Sequence, residues 1–318
     1  MYFEVSGIHV SPLIPFIVAF VVSIFTSMGG ISGAFLLLPF QVSMLGFTSP
    51  AVSPTNLVYN IVAIPSGVYR YIREGRMAWP LTWVIIAGTL PGVFIGAIFR
   101  IKYLPDPKNF KFFVGCILLY IGLRLFYAII KKGDKTQKAK EFEERFKQRF
   151  DKIRKGNESG DDHELMVKTV KFSLTRYTYS FYGETFTFNT IALFSLAFIV
   201  GIIGGTYGIG GGAIIAPFLV AVFGLPVYTI AGAALLGTLL TSVAGVIFYT
   251  IIAPYYAHTG LAIAPDWALG ALFGAGGFAG MYCGARLQKF MPAKIIKIVL
   301  AIIIALLAAK YIISFVTI

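Results

Sequence analysis

Apolar residues come in long runs separated by short polar loops, and two of these runs are broken by glycine. The run from Ile191 to Phe223 is interrupted by Gly204-Gly205-Thr206-Tyr207-Gly208-Ile209-Gly210-Gly211-Gly212 and resumes toward Pro217. The run from Pro12 to Gly46 is broken at Met28-Gly29-Gly30-Ile31-Ser32-Gly33, leaving arms of about 16 and 12 residues. Each arm is shorter than the roughly 20 residues a helix needs to cross a bilayer, so the pattern predicts half-helices. Consecutive glycines leave backbone N–H groups unshielded. In lipid, irregular backbone survives only where protein buries it or where it lines a cavity, and the helix that resumes afterwards begins with a partial positive charge. Each break therefore predicts a place for an anion. The plainer reading is close helix packing through small residues.

The remaining runs predict spans at about Asn56–Tyr69, interrupted by Pro65, and at Trp79–Phe99, Phe112–Ile130, Ile230–Ile252, Trp267–Leu287 and Ala293–Phe315. Shifting the chain by 178 residues lays Gly30-Ile31-Ser32-Gly33 on Gly208-Ile209-Gly210-Gly211, Pro39-Phe40 on Pro217-Phe218, Asn60 on Thr238 and Tyr71 on Tyr249. A shift of 188 then lays Trp79 on Trp267, Gly88 on Gly276, Gly92 on Gly280 and Gly96-Ala97 on Gly284-Ala285. Two copies of one unit follow. The expected organisation is a membrane repeat over 1–130, a hydrophilic cytosolic insert over 131–188 and a second membrane repeat over 189–318. Within the insert, Phe142, Phe146, Phe150 and Ile153 recur at near-helical spacing, which fits an amphipathic helix on the membrane surface or a plain solvated one. Val170 to Phe188, around Tyr182-Gly183-Glu184, predicts a small hairpin.

Composition fixes the class. Of 318 residues 57% are hydrophobic and 13% charged, with mean hydropathy +0.80, which predicts a polytopic, all-α membrane protein with a small α/β insert. The net charge of +13 does not indicate nucleic acid, because the basic residues sit mostly in loops between apolar runs. Cys116 and Cys283 lie in separate runs and His9, His163 and His258 are scattered, so neither a metal site nor a cofactor is expected.

Charge also bears on orientation. If each broken segment crossed once, both copies would face the same way. With the insert inside, the loops Arg100–Lys111 and Arg286–Lys297, eight Lys or Arg in all, would both lie outside. If each broken segment returns to its own side, the copies are inverted and the second loop moves inside, which agrees better with the positive-inside rule. The expected fold is therefore two inverted-topology repeats, each with a glycine-broken first segment plus three spans. Ser6 and Tyr255 are then outside, and Gly156 and Pro292 inside. Such repeats are a recurring plan of secondary transporters, with substrate held where the breaks meet. The candidate substrate-binding residues are Gly30, Ser32, Gly33, Thr206, Tyr207, Gly208, Gly210, Gly211 and Gly212 at the breaks, and Asn56, Asn60, Thr238, Thr241 and Ser242 on the following spans. Interhelical hydrogen bonding is an equally good reading for any one polar member.

Gly208-Ile209-Gly210-Gly211-Gly212 with Pro217, followed by Ala234-Leu235-Leu236-Gly237-Thr238 and Ser242-Val243-Ala244-Gly245, resembles the sulfite/organosulfonate exporter family known as TauE/SafE. The resemblance covers both repeats but not the insert; Ser32 and Ala34 stand in the first copy where the second has glycines. It implies passage of sulfite, sulfoacetate or related sulfonates across a cytoplasmic membrane; the expected direction is outward, because an inside-negative potential favours exit of a monoanion. The expected partners are such an anion and membrane lipid, with homodimer formation left open. Two other classes compete. An enzyme needs an intramembrane acid, base or metal, yet Glu74, Asp106, Glu184 and Asp266 fall at span ends or in loops. An anion channel would share the dipole-lined path without alternating access.

Overall fold

The computed structural model describes residues 1–28, 31–73, 75, 77–130, 167–173, 175, 176–181, 184–225, 227–287 and 293–316. Gly30, Gly156, Pro292, the insert positions Phe142, Phe146, Phe150 and Ile153, and the turn residues Tyr182 and Gly183 lie outside the described residues. Helices dominate. The first copy supplies α1 (Leu13–Met28), α2 (Ala34–Ser43), α3 (Val52–Arg73), α4 (Trp79–Tyr103) and α5 (Pro107–Ile130). The second supplies α6 (Thr190–Tyr207), α7 (Ile215–Phe223), α8 (Val227–Ile252), a 3-10 helix (Ala253–Thr259), α9 (Trp267–Leu287) and α10 (Ala293–Val316). Among the described residues three helical stretches are long and apolar enough to cross a membrane: Trp79–Tyr103, Thr190–Tyr207 and Thr229–Thr259.

Two elements depart from expectation. Pro65 does not interrupt α3, which continues through it to Arg73; a helix packed on both sides can tolerate the missing N–H, as helices in lipid do. The segment after residue 166 is not a lone hairpin but a three-stranded antiparallel sheet: β3 (Lys168–Phe172), β4 (Arg176–Phe181) and β5 (Glu184–Asn189). Alternation places Tyr177, Tyr179 and Phe181 on the buried face, with Tyr177 opposite Phe188 and Tyr179 opposite Phe186. Burial pushes the Tyr177 and Tyr179 phenols up. Tyr179 shares a 2.8 Å hydrogen bond with Thr229, fastening the sheet to α8. A second, two-residue pair, β1 (Tyr2–Phe3) with β2 (Ile8–His9), has no signal in the apolar pattern.

The glycines equivalent under the 188-residue shift explain the helix packing. On α4, Gly88, Gly92 and Gly96 face Ala197, Gly201 and Gly205 of α6, and a Cβ on Gly201 would sit 2.5 Å from the Thr89 carbonyl oxygen. On α9, Gly276, Gly280 and Gly284 face Phe16, Phe20 and Ile24 of α1. Small residues one turn apart let two backbones touch, which is how helices gain contact in lipid. Each copy thus wraps the first arm of the other copy's broken segment. Both pairs run parallel, since the numbering rises together along each.

The equivalent spans behave differently. Gly67 of α3 meets Leu235 of α8, Asn60 meets Ser242 and Gly245 meets Leu57, so α3 and α8 run antiparallel. Gly115 of α5 meets Tyr311 and Gly122 meets Ile304, so α5 and α10 are antiparallel too.

Candidate functional site

Each broken segment turns back toward the end of the bundle from which it set out. At one end Ser6 donates to Asp266, which caps α9 through the Leu269 N–H at 3.1 Å, and Ala51 N–H donates to the Ala262 carbonyl just before α3 begins. The parallel partner of α9, α1, leaves from that end, so α2 brings the chain back to it. At the opposite end Asn189 caps α6 through Ala192 N–H, and the Phe223 ring at the close of α7 lies 5.9 Å from Phe188, one residue before that cap. The two breaks therefore enter the bundle from opposite ends and meet inside it.

The second break is shaped by backbone. Gly208 ends α6 with φ 81°, its N–H and that of Ile209 both donating to the Gly204 carbonyl. Gly210 also has positive φ, 84°. A Cβ on Gly208 would fall 2.5 Å from Ser53 Cα, one on Gly210 2.9 Å from Ser242 Oγ, and one on Gly211 2.5 Å from Thr89 Cβ; on Gly212 it would strike the Ala234 carbonyl oxygen. Thr241 Oγ1 accepts from Gly211 N–H at 3.0 Å and donates back to the Gly237 carbonyl of its own helix. Thr238 Oγ1 likewise donates to Ala234 O. Thr206 donates to the Ile202 carbonyl within α6, while the Tyr207 hydroxyl crosses to Phe35 O of the other copy at 2.7 Å.

The first break is shaped by side chains. Ser32 donates to Asn60 Oδ1 at 2.6 Å and accepts from Ala34 N–H at the start of α2. Gly33 keeps an ordinary φ of −64°, and a Cβ there would meet the Tyr59 hydroxyl at 2.5 Å. Tyr59 in turn pairs with Ser23 at 2.8 Å. Thr26 Oγ1, buried beside Gly33, has no hydrogen-bond partner among the described residues.

Two asparagines of α3 join the breaks. Asn56 Nδ2 donates to Ala34 O on one side and to Gly208 O on the other, and its Oδ1 accepts from Gln41. Asn60 Nδ2 donates to Ile209 O at 2.9 Å and to Ser242 Oγ at 3.1 Å. All these side chains are fully buried. Of the expected residues, then, Ser32, Asn56, Asn60, Tyr207, Gly208 and Ser242 form one connected group. Gly33, Gly210, Gly211, Gly212, Thr238 and Thr241 pack around it, Thr206 in the last turn of α6 turns its hydroxyl back on its own helix, and Gly30 is not described.

Gln41, Tyr59 and Ser23 belong to the same group without having been singled out. Their signal was weak, because a lone polar residue in an apolar run does not reveal which way it faces. Arg100 was missed differently. It falls in the expected loop Arg100–Lys111, but the apolar run resumes at Ile101 and Arg100 lies in the last turn of α4, 0% exposed.

A family model described as Sulfite exporter TauE/SafE matches residues 15–311. No curated protein and no solved structure gives a significant match to the chain.

Proposed function

The chain belongs to the sulfite exporter TauE/SafE family, and on that premise we propose that it is a secondary transporter that moves sulfite, sulfoacetate or another small organosulfonate outward across the cytoplasmic membrane. Membership and the long apolar helices make it an integral membrane protein. The observation that carries the finer reading is the junction at Asn56 and Asn60, where two breaks entering from opposite ends are tied together. The N-termini of α2 and α7 both begin at these breaks, so partial positive charge converges there. Substrate would be held by glycine amides and those helix starts, with Asn56, Asn60, Thr238, Thr241 and Ser242 as polar partners. No titratable carboxylate is required.

The same reading takes the copies as inverted repeats of a multi-pass protein. The antiparallel runs of α3 on α8 and of α5 on α10 support it, because these are the equivalent spans of the two copies. Since the junction is fully buried, an anion can pass only if the breaks part, which suits alternating access. Export needs no coupling ion: an inside-negative potential of about 100 mV favours exit of a monoanion by about 2.3 kcal/mol, roughly a 50-fold gradient.

Vesicles loaded with sulfite, sulfoacetate or another monoanionic sulfonate and given an imposed potential test the function. Release faster than from protein-free vesicles is expected for at least one anion; none for any of them, alongside passage of a cation or neutral solute, sinks the reading. Single cysteines at Ser6 and Tyr255 should label only from outside, and at Pro292 only from inside; external labelling at Pro292 would overturn the inversion.

A further inference from the structure

Arg100 is a charge inside the protein with little to balance it. Its Nη1 donates to the Leu104 carbonyl and its guanidinium lies 3.7 Å from the centre of the Phe110 ring. Its Nε and Nη2 are buried and have no hydrogen-bond partner among the described residues. Two more orphans lie beside it. Tyr249 packs with Ala97 and Ile101 on either side of Arg100, and its buried hydroxyl, like that of Ser53 beside it, has no hydrogen-bond partner among the described residues. All three residues are 0% exposed. Arginine stays protonated in proteins, and a buried cation left unpaired is strongly destabilising, so this group calls for a negative partner.

Its place in the fold says which partner. The C-terminal parts of α4 and α8 and the N-terminal part of α3 pack together there, through Ala97 and Ile101, Val246 and Tyr249, and Leu57 and Val58. Ser53 is also the residue against which Gly208 packs, so the group adjoins the second break directly. An anion released from the junction toward the end of the bundle that carries Ser6 and Tyr255 would meet it. Only one copy carries it: the position equivalent to Arg100 under the 188-residue shift is Gln288, and that equivalent to Ser53 under the 178-residue shift is Ala231.

We propose that Arg100, Tyr249 and Ser53 form an anion-binding site for a small oxyanion of the sulfite class, a second station between the glycine breaks and the Tyr255 end. Two free guanidinium nitrogens offer a planar fork and the two hydroxyls supply further donors, which suits two oxygens of one anion. The inference rests on reading the chain as an anion transporter, but binding is measured separately from transport.

Thermal unfolding of the purified full-length protein in detergent is followed under anaerobic sulfite, with chloride at equal ionic strength as reference and with phosphatidylglycerol added to the micelles as a separate arm. Wild type should be stabilised saturably by sulfite. Arg100→Gln should weaken the apparent affinity at least about tenfold, Arg100→Lys less, and Tyr249→Phe about threefold. If Arg100→Gln does not yield folded protein, Tyr249→Phe and Ser53→Ala carry the test. The proposal is overturned if sulfite does not stabilise wild type, if the folded variants keep the wild-type midpoint, or if only the lipid acts through Arg100. Vesicle release separates the two readings. Binding that depends on Arg100 without release of sulfite, sulfoacetate or another sulfonate leaves the site standing and removes the transport reading; release with an unchanged half-saturation in the variants removes the site and leaves transport standing.

Discussion

The two breaks occupy equivalent places in the two copies, yet they are built from different materials. In the second, four of the five residues from Gly208 to Gly212 are glycine, and neighbouring backbone or side chain lies where their Cβ atoms would be. In the first, Ser32 and the Tyr59–Ser23 pair do with side chains what glycine does with backbone, and Gly33 has an ordinary φ. The following spans differ in the same sense. Asn56 and Asn60 reach both breaks, whereas their equivalents in α8, Ala234 and Thr238, offer a methyl group and a hydroxyl turned back on its own helix. The two halves place their breaks alike but divide the chemistry, so they should not respond alike to the same substitution.

The largest effect is expected from Gly210→Val against Gly33→Ala. Valine at φ 84°, with Ser242 and Thr238 within about 3 Å of its Cβ, costs about 1–3 kcal/mol in strain alone and closes the break to substrate. Anion release should fall below detection, with protein still recovered in the membrane. Gly33→Ala asks only side-chain hydroxyls to move, that of Tyr59 most and those of Ser23 and Thr26 by a few tenths of an ångström, and release should drop a few-fold. Equal losses in both variants would mean that the breaks are equivalent after all. Loss of folded protein in parallel with loss of activity would assign Gly210 to packing alone.

Next in size is Asn60→Ala against Thr238→Ala. Removing Asn60 strands Ser32, Ser242 and the Ile209 carbonyl, an expected destabilisation of about 1–3 kcal/mol, with release down about tenfold or more. Thr238→Ala removes one bond within its own helix and should stay within about 1 kcal/mol. Unfolding in denaturant and vesicle assays read both; a larger effect at Thr238 would reverse the assignment of α3 as the joining span. Smaller again, Ser32→Gly makes the first break resemble the second and should cost about 1 kcal/mol while leaving release within a few-fold. An unchanged unfolding midpoint would show that Ser32 holds nothing.

The smallest effect is outside the breaks. Tyr179→Phe deletes the bond between sheet and α8 and should lower stability by about 1 kcal/mol without changing release. Because burial raises the Tyr179 phenol above its unfolded value near 10, the wild-type contribution should be full below about pH 10 and lost as pH rises further. Limited proteolysis of the insert across that range follows it.

How much was legible is uneven for identifiable reasons. Broken runs, span positions and the two registers could be read because apolar length and glycine spacing are local properties of the chain; Trp267–Leu287 was placed to the residue. The third strand of the sheet was not, since Lys168–Phe172 alternates too weakly to stand out without its partner. The placement of Arg100 was read wrongly because charge near the end of an apolar run usually marks an interface, and only Phe110 and Leu104 reveal that it is covered.

The sequence by itself determined that this protein is a glycine-broken helical bundle for the membrane, because hydrophobic run length needs no knowledge of neighbours. Tertiary structure alone decided that α4 and α9 each clasp the other copy's broken arm, that Asn56 and Asn60 tie the breaks together, and that Arg100 faces inward. These depend on which faces meet across separations of up to about 260 residues. Hydrogen bonds and backbone contacts at that range leave no local pattern in the chain, so only the packed structure can show them.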